Sequence, residues 1–271
     1  ACADAPPSVP APMPPPTGDD DTVSREKLLQ TIRAGHRPGA MGAEQADELL
    51  RWAEQRIEVG DPYEVAIAGR SAQKLHHLKL MYGTPDQDGL LPMYNFGLTK
   101  SGWKRVDAMP GLLQQRAEHL GRETGTTPNN CVVNIYLTGA DYIAPHQDQS
   151  FSPGGGKYES QLPVIIDRVG GARAIAFHDL GGAEVDRIQL QHGDSYVLTG
   201  EANSICKHSV PQCECGLCVT FSWRCVRNSV SPDGAFAVVN GKRVPLDYLV
   251  SALDKEKKEQ LQARCAENGI D

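Results

Sequence analysis

Asn134-Ile135-Tyr136-Leu137-Thr138-Gly139-Ala140-Asp141-Tyr142-Ile143-Ala144-Pro145-His146-Gln147-Asp148 is the run that decides how the rest of the chain is read. It opens on an apolar segment of strand character, turns at Gly139 and ends in His-x-Asp. On an extended strand, residues two apart project from one face, so His146 and Asp148 can reach a single ion. A distant histidine, His208 in Lys207-His208-Ser209-Val210-Pro211, follows an apolar strand and a polar turn and offers a third ligand. Two imidazoles and one carboxylate favour Fe(II), and they leave coordination positions open for oxygen chemistry. A structural zinc site would instead be closed by four protein ligands. His-x-Asp by itself is a short pattern that chance supplies often, so its weight comes from its surroundings.

Outward from this run the pattern is of short strands. Segments 131–137, 162–169, 173–180, 185–190, 195–199, 209–210 and 217–226 have strand composition, and glycine-containing turns separate them, among them Gly170-Gly171, Gly181-Gly182 and His192-Gly193-Asp194. Many short strands punctuated in this way signal a sandwich or jelly roll. The N-terminal side is helical. Ala46, Leu49, Leu50, Ala53 and Ile57 fall on one side of a helix over 43–57, and Leu113, Ala117 and Leu120 on one stripe of a helix over 112–123. The fold class expected is α+β: a double-stranded β-helix (jelly-roll) core with N-terminal helices packed on it and a C-terminal helical appendage. The domain reading is a disordered Pro-rich lead at 1–22, a catalytic domain at 23–230 and the appendage at 231–271, with a helix starting at Pro245.

Composition narrows the class. The chain has 271 residues, 40% hydrophobic and 23% charged, as in an ordinary soluble globular protein, and its net charge of −7 argues mildly against non-specific nucleic-acid binding. No apolar run approaches the ~20 residues that span a bilayer. Ala1–Asp21 lacks the apolar centre of a secretory signal, and Ala1 in place of Met points to a processed or truncated start. The eight cysteines read as reduced thiols of an intracellular protein, nuclear or cytoplasmic. Cys213-Glu214-Cys215-Gly216-Leu217-Cys218 contains one Cys-x2-Cys pair without a second at zinc-knuckle spacing, so a turn is the better reading. Lys74-Leu75-His76-His77-Leu78-Lys79, with Arg70, Lys100, Lys104 and Arg105, gives local positive charge, suited either to phosphate contact or to a solvated strand edge. His178 and His192 have no partner pattern and read as structural.

Taken together these motifs resemble the AlkB family of Fe(II)/2-oxoglutarate dioxygenases. Asn134-Ile135-Tyr136, the Gly139–Ile143 turn and His146-Gln147-Asp148 are similar to that family's Asn-x-Tyr, turn and His-x-Asp, in order and at similar spacing. Tyr82-Gly83 and Tyr94-Asn95-Phe96-Gly97 resemble its lid region; 173–177, 193–198 and His208-Ser209-Val210-Pro211 resemble its core strands and distal histidine. The resemblance implies iron on His146, Asp148 and His208, 2-oxoglutarate as cosubstrate and O2 as oxidant. It implies a substrate, methylated DNA or RNA, whose base is faced by Tyr94, Phe96 and Ser150, and a monomer with no membrane association.

Two departures matter. Where the family usually has Arg-x-Asn-x-Thr-Phe-Arg, this chain has Cys218-Val219-Thr220-Phe221-Ser222-Trp223-Arg224, so one of two cosubstrate guanidiniums is missing. Arg224, with Tyr136 and Asn134, is left to anchor 2-oxoglutarate, and which carboxylate it holds stays open. Ser150 stands where the family tends to carry an acid. A lone arginine is also what 5-methylpyrimidine oxidases of the J-binding and ten-eleven-translocation type resemble, which gives an alternative substrate. A small molecule or protein side chain is a third, and a non-catalytic binding module or a zinc protein the readings from other classes.

Overall fold

The computed structural model describes residues 19–58, 61–65, 73–93, 106–148, 163–239 and 241–246, the side chains of 19–24, 61–65 and 73–75 excepted. The chain opens on helix α1 (Asp19–Ala34), strand β1 (His36–Arg37) and helix α2 (Ala43–Glu54). Strands β2 (Asp61–Val65), β3 (Gln73–Gly83), β4 (Leu91–Pro92) and β5 (Asp107–Ala108) lead to helix α3 (Gly111–Thr124). Then come β6 (Asn130–Tyr136), β7 (Ile143–His146), β8 (Val164–Gly170), β9 (Arg173–His178), β10 (Glu184–Leu190) and β11 (Ser195–Leu198). The short helix α4 (Gly200–Ile205), β12 (Lys207–Val210) and β13 (Cys218–Arg224) follow, and β14 (Ser229–Val230), β15 (Phe236–Val239) and β16 (Lys242–Pro245) end the described chain.

The strands form a large sheet in the order β1-β11-β8-β13-β6-β3-β2, with β5 beside β3, and a second sheet in the order β10-β9-β12-β7. This is a jelly-roll core with helices on its outer side. Period-two alternation gives the large sheet two different buried faces. Val219, Phe221 and Trp223 of β13 and Cys131, Val133 and Ile135 of β6 pack against Leu49 and Ala53 of α2 and Leu113, Ala117 and Leu120 of α3. The intervening residues face the second sheet, which closes over them through Ile175 and Phe177 on β9 and through Ile143 and Val210. That inner face is polar: Asn134, Thr220, Arg168 and Lys79 are all buried, and they form one row across β8, β13, β6 and β3. A buried polar face on a central sheet needs partners, so this is where ligand chemistry belongs.

Three features differ from the expectation. Helix α1 starts at Asp19, inside the expected lead. Helix α4 occupies a segment not foreseen as helical; Thr199 caps it by accepting a hydrogen bond from the Ala202 amide at 3.1 Å. Ser229–Val230, Phe236–Val239 and Lys242–Pro245 are strands where the opening of a helical appendage was expected. Phe236–Val239 and Lys242–Pro245 pair as a hairpin, with Gly241 at φ +74°, and β14 joins them to β4 in a third sheet. The sequence Asn240-Gly241 between alternating apolar residues is the signal for that hairpin. The helix expected from Pro245 lies beyond residue 246, outside the described residues.

Candidate active site

Strands β12 and β7, far apart in sequence, pair side by side, and the register sets His208 directly opposite His146. Their ring centroids lie 4.3 Å apart. Asp148 follows just past the end of β7, with Oδ1 3.5 Å from His146 Nε2 and 3.9 Å from His208 Nε2. All three ligand atoms fall within 4.8 Å of one another, and among the described residues this is the one group of three metal-capable side chains that meets so closely. The cysteines do not form a second. Cys213 instead donates its amide to Gly139 O at 2.9 Å, and a Cβ on Gly139 would sit 1.7 Å from Cys213 O, so the two turns are pressed together. The turn reading of that cluster therefore fits the packing.

The triad is prepared for a cation. His146 Nδ1 lies 2.9 Å from Ala144 O, which favours the tautomer protonated there and leaves the Nε2 lone pair free. Burial first, and the neighbouring His146 next, bring His208 down to about 3, so its imidazole is neutral at physiological pH. Burial pushes the Asp148 carboxyl up, but Arg224 and the two imidazoles more than reverse this and hold it well below its usual value. Two imidazoles and one carboxylate, aimed at one point from one side, fit Fe(II) by donor set and geometry.

Helix α4 holds the His-x-Asp turn in place. The Asp148 amide donates to Asn203 Oδ1 at 2.8 Å, and Asn203 Nδ2 donates back to Asp148 O at 2.8 Å. Gln147 Nε2 reaches the carbonyl of Asn203 at 2.7 Å. Asn203 was not legible as a site residue, because its only sequence signal is a helix cap four positions earlier. Arg224, expected to anchor a cosubstrate, donates from Nη2 to Asp148 Oδ2 at 2.5 Å. It therefore stands at the metal end of the inner face.

The rest of that face contains residues the sequence pointed to and others it did not. Asn134 Nδ2 lies 3.4 Å from Thr220 Oγ1, and Tyr136 is fully buried under the stacked ring of His77 at 5.4 Å. His77 and Lys79 turn inward, so at these two positions the basic stretch on β3 is neither a solvated edge nor a phosphate contact. Burial first, and then the charge of Arg224, bring Lys79 down to about 7 against the pull of Asp148. His178 and His192 are structural as expected: His178 Nε2 lies 2.8 Å from Ser209 Oγ, and His192 Nδ1 accepts from the Gly170 amide at 3.0 Å. Arg168 and Arg173, both fully buried, went unremarked in the sequence, although a charge within the apolar run Val164–Gly170 is a signal of inward polarity. Tyr94, Phe96, Ser150, Arg70, Lys100, Lys104 and Arg105 lie outside the described residues.

Comparison with known proteins agrees with this geometry. A sequence model of the 2OG-Fe(II) oxygenase superfamily matches residues 35–246. The chain belongs to this superfamily. Among curated proteins it is similar to the mouse DNA oxidative demethylase ALKBH2, 29% identical over 185 residues that cover 63% of this chain and 70% of that protein. The human protein of the same name is 26% identical over 182 residues, covering 63% of this chain and 64% of its own length. The solved structure of OsALKBH1 overlays with a TM-score of 0.43 at 15% identity, covering 69% of this chain and 98% of that one. As a member of the 2OG-Fe(II) oxygenase superfamily, the protein is a dioxygenase that uses Fe(II), 2-oxoglutarate and O2. Bound iron supplies, with the cosubstrate and O2, the oxidant that converts a substrate C–H bond to C–OH. Among the described residues no helix is long and apolar enough to cross a membrane.

Proposed function

We propose that the protein hydroxylates the methyl group of a methylated nucleobase in DNA or RNA, with release of succinate and CO2. The observation that carries this is the convergence of His146, Asp148 and His208, with Arg224 on the carboxylate, beside a buried polar face in a chain similar to curated DNA oxidative demethylases. In this reading His146, Asp148 and His208 hold iron. The two imidazoles donate through nitrogen, the carboxylate supplies the charge, and Asn203 keeps the chelating turn from swinging out. Arg224, Tyr136 and Asn134 bind the cosubstrate, and the closed inner face keeps water from it. Tyr94 and Phe96 stack the base, and Ser150 faces it. An N-methyl substrate loses formaldehyde after hydroxylation, whereas a C-methyl substrate keeps the alcohol.

The catalytic unit in this proposal runs from residue 23 through the C-terminal hairpin, acts as a monomer and works inside the cell, which suits the six described cysteines, all free thiols. The test is mass spectrometry of products from a mixed panel of methylated DNA, RNA and free nucleosides, supplied with Fe(II) and 2-oxoglutarate. Substrate-linked succinate and a base in which N–H replaces N–methyl, with formaldehyde released, are expected. A retained hydroxymethyl on a pyrimidine carbon would move the assignment to a 5-methylpyrimidine oxidase. No turnover across the panel would remove the nucleic-acid substrate while leaving the oxygenase.

A further inference from the structure

The inner face of the large sheet holds two guanidiniums that the metal centre does not use. Arg168 on β8 and Arg173 at the start of β9 are both fully buried. Both terminal nitrogens of Arg173 are satisfied and only its Nε lacks a partner: it donates to the carbonyls of Thr138 at 3.2 Å and Pro211 at 3.1 Å and to that of Asp141, with its Cζ 4.7 Å above the Tyr136 ring. Arg168 is not. Its Nη1 contacts Cys218 Sγ, while Nε and Nη2 have no hydrogen-bond partner. The Tyr136 hydroxyl, also buried, makes no hydrogen bond of ordinary geometry, although Thr220 lies beside it. Burial raises the Tyr136 pKa, so the phenol keeps its proton and is a donor.

Unmet donors from two neighbouring side chains are rare in a buried place, and they mark a missing acceptor. Charge points the same way. Neither Arg168 nor Arg173 has a carboxylate partner among the described residues. Asp167, adjacent in sequence, points to the opposite face and is taken by Arg116 at 2.8 Å. Two buried cations without a counter-charge favour an anion between them. The register brings the parts together: Arg168 lies beside Thr220, Thr220 beside Asn134, and Cys218 beside Tyr136. Cys218 is small enough to let a guanidinium from the adjacent strand occupy the space in front of it. Arg224, at the other end of the same face of β13, is committed to Asp148. A dicarboxylate cosubstrate needs a cation at its far end as well.

We propose that Arg168 is the anchor for the carboxylate of 2-oxoglutarate remote from the keto group, with Tyr136 as second donor and Arg173 as the fixed charge behind the ring. The inference rests on the reading that this face holds the cosubstrate, and it replaces Arg224 as the residue that selects for a second carboxylate. A guanidinium fork with two free N–H groups matches two carboxylate oxygens.

The test measures binding, not turnover. Mn(II)-loaded protein is titrated calorimetrically with 2-oxoglutarate and with 2-oxobutanoate, which has the keto acid but no second carboxylate. Arg168→Met is expected to raise the Kd for 2-oxoglutarate at least about tenfold, the usual order for a charge-assisted hydrogen bond, and to leave that for 2-oxobutanoate within about twofold. Equal affinities of variant and wild type for 2-oxoglutarate would overturn the assignment, and so would an equal loss for both ligands. Wild-type protein that binds neither would instead remove the cosubstrate reading beneath it. A second single variant covers the event that Arg168→Met does not fold, and a double variant extends the test where it does. Arg168→Lys keeps the charge without the fork and should show a smaller but still 2-oxoglutarate-specific loss; no loss would count against the anchor. Cys218→Arg combined with Arg168→Met returns a guanidinium from the neighbouring strand and is expected to recover 2-oxoglutarate affinity; a folded double variant no tighter than Arg168→Met would count against it.

Discussion

Arg224 and Asp148 are coupled, which changes what either substitution does. Arg224→Met is expected to weaken Mn(II) or Fe(II) binding as well as 2-oxoglutarate binding, each by about tenfold, since a hydrogen bond to a charged group contributes about 1.5–3 kcal/mol. Separate calorimetric titrations read this, and unchanged metal affinity would mean that the pair does not position the carboxylate. The buried histidines give a pH dependence. Burial brings both His208 and His77 down to about 3, against about 6.5 in an unfolded chain. The unfolded state therefore takes up protons that the folded state refuses. The stability these groups contribute is fully present above about pH 6.5 and is lost as pH falls towards 3, at up to about 1.4 kcal/mol per pH unit for each. Denaturant titrations of metal-free protein at pH 7.5 and 5.5 should show the fall, and His77→Phe should reduce it; a flat profile would show that neither ring is held neutral. At this scale the triad was legible because two of its members are neighbours along the chain. Arg168 and Asn203 were not, because strand pairing and a short helix bring them to their partners, and no local pattern encodes that.

Helix α4 is small, but it fixes the metal-binding turn through Asn203. Asn203→Ala removes both hydrogen bonds to the Asp148 backbone, and an increase of about 10–100-fold in the metal Kd is expected, the usual range for residues that orient metal ligands. Mn(II) titration followed by electron paramagnetic resonance would measure it, and an unchanged Kd would reduce α4 to packing. The strands were legible where one face is apolar and the other polar, as along β6, β8 and β13. Strand β7 was not, because its four residues include Pro145 and alternate weakly in burial. Strands β15 and β16 were obscured by the charged run beyond them, although Asn240-Gly241 signalled a turn.

Across the whole molecule, one buried acid ties the helices to both sides of the large sheet's centre. Asp167 accepts from Arg116 of α3 at 2.8 and 3.0 Å, from Trp223 Nε1 at 2.8 Å and from Ser195 Oγ at 2.5 Å. Arg116→Leu leaves that carboxylate without its cation and should destabilise the fold by about 3–5 kcal/mol in equilibrium unfolding; a loss below about 1 kcal/mol would mean that Trp223 and Ser195 suffice. The α+β jelly roll was legible because the long amphipathic helices precede the run of short strands from β6 onward, whereas a network joining Arg116, Asp167, Ser195 and Trp223 has no trace in any one of them. The third sheet carries a different consequence. Met93 donates its amide to Asn228 O at 2.7 Å, and Leu91, Met93, Val230, Ala237, Val239 and Leu246 share one small core. The C-terminal hairpin is thus the clasp that fixes the root of the segment bearing Tyr94 and Phe96. Proteolytic trimming just after Asn228 would leave the iron ligands intact while removing the hairpin that holds Leu91 and Met93; under the proposed function, such a nicked enzyme should lose its hold on a polymeric substrate and squander cosubstrate in futile cycles.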